Sequence, residues 1–211
     1  MITKNQTNLF FFVALIFILS IMVKPYPLSW LVKLLPMTVL IYAASTQLKS
    51  TAGKIFIAGI IFSSFGDFFL DYDRVNWFIF GLGSFFVAHV CYLMALKPIE
   101  NKKLSLVGLY SVYGVAMFSL IAGGLGELFI PVLAYMTILL VMAIMTLVSK
   151  RSNTWLVIGG LSFVFSDSLI GIDKFYQPIP YAHILIMISY YFAQYALLRG
   201  FIASDNKQKA A

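Results

Sequence analysis

Charge is scarce in this chain. Of 211 residues only 8 are Asp or Glu and 15 are Lys or Arg, so 11% are charged, where a soluble domain carries about a quarter. A water-facing surface cannot be covered from that stock. Cysteine is nearly absent: Cys91 stands alone inside an apolar run, which excludes an intramolecular disulfide and a cysteine metal centre. Histidine is limited to His89 and His183, far apart in sequence and a poor basis for a zinc site; no His-Glu-x-x-His pair occurs. There is no Gly-x-Ser-x-Gly elbow and no phosphate-binding glycine loop, and a Ser–His–Asp hydrolase is not visible.

What is abundant is apolar. Hydrophobic residues make up 61% of the chain, with 20 Phe and 12 Tyr, and the mean hydropathy is +0.93. This composition predicts an all-α, polytopic membrane protein. Eight apolar segments separate, at about 9–23, 28–46, 54–70, 75–96, 104–122, 127–148, 154–172 and 179–202, each near the length that crosses ~30 Å of hydrocarbon. The first lacks a small-residue cleavage pattern and reads as a retained helix. The breaks are short, so residues 1–211 form a single transmembrane domain. The net charge of +7 does not point to nucleic acid, because the basic residues sit in the short breaks. Eleven Lys and Arg lie at the termini and even-numbered breaks, and three on the opposite side, Lys24, Arg74 and Lys174. The positive-inside rule then predicts both termini in the cytoplasm. Short loops and no targeting extension lead us to expect a bacterial inner membrane.

One stretch occurs twice. Residues 57–74 and 157–174 align at an offset of 100, matching Gly59 with Gly159, Phe65 with Phe165, Asp67 with Asp167 and Asp73 with Asp173. Asp67 and Asp167 lie well inside apolar runs, where a carboxylate costs roughly 2.5–3.5 kcal/mol on insertion scales. Such a residue placed twice at matching positions predicts two parallel four-helix repeats, about 9–96 and 104–202. Both aspartates lie thirteen residues from a cytoplasmic segment start, ~20 Å deep. Lys33, entering from the other side, falls near the same layer; it either snorkels to the headgroups or forms a buried structural set with the aspartates. His183 and Glu127 lie nearer that outer side, His183 as a rim residue and Glu127 as a helix start. His89 and Tyr92 share a helical face at i, i+3, and Tyr190 and Gln194 form an i, i+4 pair; these line a pocket or join helices. Two close carboxylates in a low dielectric cannot both ionise cheaply, which leaves a general acid beside a general base. Residue chemistry alone therefore reaches a candidate intramembrane acid–base hydrolase. A small proton-coupled transporter and a non-catalytic lipid-binding protein stand beside it.

At these residues the chain resembles a known family. Lys33 to Met37, Gly66-Asp67 with Phe80-Gly81 and His89-x-x-Tyr92, Phe165-Ser166-Asp167 through Asp173-Lys174-Phe175, and Tyr190-Tyr191-x-Ala193-Gln194 occur in the order seen in the YhhN-type lysoplasmalogenases. The resemblance implies hydrolysis of the vinyl ether bond of a lysophospholipid, a lysoplasmalogen, drawn from the bilayer. The products would be a fatty aldehyde and glycerophosphoethanolamine or glycerophosphocholine. It implies no metal and no organic cofactor. Asp67 and Asp167 would be the catalytic pair, and Lys33, His89, Tyr92, Asp173, Tyr190 and Gln194 would hold the substrate or brace its pocket.

Overall fold

A computed structural model describes residues 2–100 and 104–210. Eight helices long and apolar enough to cross a membrane lie among these residues, and the chain is a multi-pass membrane protein. They are α1 (Lys4–Ser20), α2 (Ser29–Gln47), α3 (Thr51–Tyr72), α4 (Phe78–Leu96), α5 (Leu104–Ile121), α6 (Phe129–Val148), α7 (Thr154–Phe175) and α8 (Ala182–Ala210). Polar caps start several of them. Thr3 and Gln6 form a capping box at α1, Ser50 accepts from the Gly53 N–H at α3, and Asn153 accepts from Trp155 and Leu156 at α7. Their outer faces carry Phe12, Leu15, Val112, Val115 and Ile130, all exposed, as lipid requires.

Helix α8 is apolar all round over its first two-thirds, and such a helix belongs inside a bundle. It is accordingly the most buried of the eight, packing on α7, α2 and α1. The two most extensive pairings are α3 with α4 and α7 with α8. Small residues permit them. A Cβ added at Gly159 would stand 2.8 Å from the Leu197 backbone nitrogen, and one at Gly59 would enter the Tyr92 ring at 2.5 Å. Close backbone approach of this kind replaces the hydrophobic drive that lipid removes.

The start of α1 meets the second half of α8, where the Thr7 and Tyr195 hydroxyls are 3.2 Å apart. There, buried Arg151 reaches Asp205 at 3.4 Å and stacks its guanidinium over Phe201, while Ser50 donates to the same carboxylate at 2.9 Å. Two boundaries differ from the sequence reading. Segment eight does not stop at 202: α8 continues through a polar turn because Asp205 has these partners to hold. Segment three does not stop at 70: the helix carries Asp71 and Tyr72, and Asp73 closes it by accepting from the backbone N–H groups of Val75 and Asn76.

Gly159→Ala is expected to cost about 1–3 kcal/mol, as overpacking against backbone does, and to lower the midpoint of thermal unfolding in detergent. Gly83→Ala, whose methyl meets nothing within 4 Å, should leave the midpoint unchanged. Equal midpoints would contradict the close contact between α7 and α8.

Candidate active site

Asp67 lies on the inner face of α3, 2% exposed, and Lys33 and Tyr190 both present donors to its carboxylate. Lys33 approaches from α2, its ammonium 3.2 Å from Asp67 Oδ1 and 3.2 Å from the Asp67 carbonyl. It does not snorkel; it is turned inward and 4% exposed. Pro36 helps set it there, because it lacks the N–H that would bond the Val32 carbonyl, and the Tyr191 hydroxyl donates to the Lys33 carbonyl at 2.7 Å. On the other oxygen, the Tyr190 hydroxyl donates to Asp67 Oδ2 at 2.6 Å. Behind it, Gln194 Nε2 donates to the Tyr190 oxygen at 3.4 Å and the Tyr92 hydroxyl donates to Gln194 Oε1 at 2.7 Å. Ser63 ends the series, 3.4 Å from the Tyr92 hydroxyl. The hydrogen bonds of Gln194 and Tyr190 run toward Asp67, and donors of this kind favour a carboxylate.

Asp167 has a different setting. Tyr135, from α6, donates to its Oδ2, and His89 Nε2 lies 3.2 Å from the Tyr135 oxygen. Since Tyr135 has given its proton to the carboxyl, the network assigns the imidazole proton to Nε2 and leaves Nδ1 a bare acceptor. That nitrogen is buried without a hydrogen-bond partner among the described residues. Asp167 also lines an apolar cavity with Leu82, Phe85, Val132, Met136 and Val164. Phe85 and Phe163 stand edge-on to Tyr190, at 5.8 and 5.6 Å, and join the two carboxyl groups into one aromatic cluster. The two carboxyl groups share no hydrogen bond among the described residues. Each is held by its own tyrosine, and Lys33 pairs with Asp67.

A second, polar cavity opens beside the first. Lys24, Lys33, Asp71, Arg74 and His183 line it, and Leu70, Phe78 and Ile170 wall both cavities. Asp71 lies one turn beyond Asp67 and takes an ion pair from Lys24 and a hydrogen bond from Ser29. Burial pulls the Lys24 ammonium below the usual lysine range in spite of that carboxylate. Asp173, expected to hold the substrate or brace its pocket, pairs with Arg74 at the second cavity. Its Oδ2 lies 3.4 Å from Arg74 and its Oδ1 accepts from the Ile179 N–H, so it braces the turn into α8 and lines neither cavity. Glu127 is exposed in a turn before α6. No group of three or more His, Cys, Asp or Glu among the described residues could hold a metal ion.

Sequence reasoning paired Asp67 with Asp167 and set Lys33, His89, Tyr92, Asp173, Tyr190 and Gln194 around them; the structure gathers Lys33, Tyr92, Tyr190 and Gln194 at Asp67 and connects His89 to Asp167 through Tyr135. Sequence reasoning missed Tyr135, Asp71 and Lys24. The i, i+4 spacing of Asp67 and Asp71 was the available signal for Asp71; Tyr135 is one of 12 tyrosines and carries none.

The YhhN family model matches residues 28–201. A lysoplasmalogenase of Mycobacterium bovis is 31% identical over 155 residues, 69% of this chain and 59% of its own length. Human lysoplasmalogenase TMEM86B is 33% identical over 175 residues, 79% of this chain and 74% of its own. The chain thus spans under two-thirds of the mycobacterial relative. No solved structure matches it. With the family model spanning α2 through most of α8, the chain belongs to the YhhN family.

Proposed function

We propose that this protein is a lysoplasmalogenase, cleaving the vinyl ether bond of a lysoplasmalogen to a fatty aldehyde and glycerophosphoethanolamine or glycerophosphocholine. The names of its relatives support the substrate class. The observation that carries the chemistry is the unlike setting of two intramembrane carboxyl groups: Asp67 ion-paired to Lys33, and Asp167 at an apolar cavity with no cation paired to it among the described residues.

A carboxyl group facing an apolar cavity without a cation is more stable with its proton. In our reading Asp167 is therefore the acid. Its Oδ2 is occupied by Tyr135, and its other oxygen delivers the proton to the enol carbon, leaving an oxocarbenium ion and the Asp167 carboxylate. Water adds to the cation and returns its proton to Asp167. The hemiacetal then collapses to aldehyde and the free glycerol hydroxyl, so one water is consumed and the acid is restored. Asp67, sealed by Lys33 and Tyr190, supplies fixed negative charge toward the cation, the electrostatic part of catalysis. Lys33, Tyr190, Gln194 and Tyr92 hold that charge in place, and His89 holds Tyr135. The site lies at the end of the bundle away from both termini. With the termini cytoplasmic in a bacterial cell membrane, it faces the outer leaflet.

The test is aldehyde release from a lysoplasmalogen by purified protein in detergent. Asp167→Asn and Asp67→Asn should each lower kcat at least about 10²-fold, in variants that keep the parent's elution volume and helical circular dichroism. A parent that releases no aldehyde from either headgroup class would sink the reaction. Full activity in Asp167→Asn would remove the acid. Tyr135→Phe withdraws one hydrogen bond to a carboxyl group, worth about 1.5–3 kcal/mol where charge develops, so kcat should fall about 10–100-fold with KM little changed. A change confined to KM would show that Tyr135 only shapes the cavity.

A further inference from the structure

The polar cavity has more hydrogen-bond donors than its own carboxylates use. Lys24 has three N–H donors and Arg74 five, and each makes one hydrogen bond to a carboxylate, to Asp71 and to Asp173. Lys33 and His183 line the same space. The Arg74 side chain is 45% exposed and that of Lys24 20%, so their remaining donors can be reached from the cavity. Clustered cations with spare donors beside an apolar chamber suit a phosphate joined to a hydrocarbon chain.

We propose that this cavity is a phosphate headgroup site, and that its distance from Asp167 sets which bond is cleaved. The inference rests on the lysoplasmalogen reading for its substrate. Asp71 stands one helical turn, about 6 Å, from Asp67 along α3, and Ile170 stands about 4.5 Å from Asp167 along α7. Leu70, Phe78 and Ile170 form the common wall between the cavities. A phosphate on Lys24 and Arg74 sends its glycerol past this wall. The first bond of the chain then lies beside Asp167, and the remaining hydrocarbon runs into the chamber between α4, α5, α6 and α7. The glycerol unit has about the reach of that one turn. A lipid without phosphate has no anchor at the outer end and no fixed register against the acid.

The experiment is binding, measured calorimetrically in an uncharged maltoside detergent, so that no turnover is needed. The probes are a saturated 1-O-alkyl lysophosphoethanolamine, which has no vinyl ether to cleave, the matching 1-O-alkylglycerol, and inorganic phosphate. The parent should bind the phospholipid at least about tenfold tighter than the alkylglycerol, and inorganic phosphate far more weakly than either. In Lys24→Gln/Arg74→Gln that preference should vanish while alkylglycerol affinity stays at the parent value, which also reports a folded chamber. Lys24→Arg, keeping the charge, should retain the preference. Equal binding of the two lipids by the parent would overturn the proposal, as would a preference that survives in the double variant. Inorganic phosphate binding as tightly as the phospholipid would assign the cavity to a free anion and overturn the ruler. A parent that shows the preference but releases no aldehyde from a lysoplasmalogen would sink the hydrolase reading and leave the headgroup site standing.

Discussion

The pairing of Lys33 with Asp67 is the constraint to which the rest of the bundle answers. Neither charge is tolerable alone at this depth, and breaking a buried pair strands a charge at about 3–5 kcal/mol. The pair is useful only if the helices bearing it are held in register, and α8 does this from the centre. Tyr191 fixes the Lys33 carbonyl and Tyr190 takes the second oxygen of Asp67. Gln194, one turn further, fixes Tyr190 and is itself fixed by Tyr92 of α4. Four helices thus converge on one carboxylate through donors alone. The close helix contacts at Gly59 and Gly159 bring those side chains within hydrogen-bonding range.

The second aspartate gains its character from what it lacks. It occupies the matching position on α7, yet among the described residues no lysine pairs with it, and the side chain that hydrogen-bonds it is a tyrosine itself paired with a histidine. In the mechanism we propose, the same residue type in two settings takes opposite parts: one carboxylate acts as fixed charge, the other as a store for a proton. The apolar chamber strengthens this difference, since weak screening makes each partner count for more.

Much of this was legible in the sequence, for identifiable reasons. Acids in apolar runs are costly, so Asp67 and Asp167 announced themselves, and helical spacing placed Tyr190 with Gln194 and His89 with Tyr92. The eight crossings followed from length and hydropathy. What the sequence hid were partners from distant segments. Tyr135 looks like any tyrosine in an apolar helix until α6 sets it against α7. Lys24 and Asp71 read as loop charges, and only the continued turn of α3 and the return of the chain before α2 bring them together. Asp173 matches Asp73 in the repeat, and both hold the turns that follow their helices; Asp173 also pairs with Arg74, which lines the second cavity.

The central claim is that Asp167 carries a proton while Asp67 does not. Infrared spectroscopy of the purified protein at neutral pH tests it directly, through the C=O stretch of a protonated carboxyl group and its shift in heavy water. The account predicts that this band is present in the parent, absent from Asp167→Asn and retained in Asp67→Asn. A band lost from Asp67→Asn and kept in Asp167→Asn would reverse the roles of the two aspartates and contradict the account.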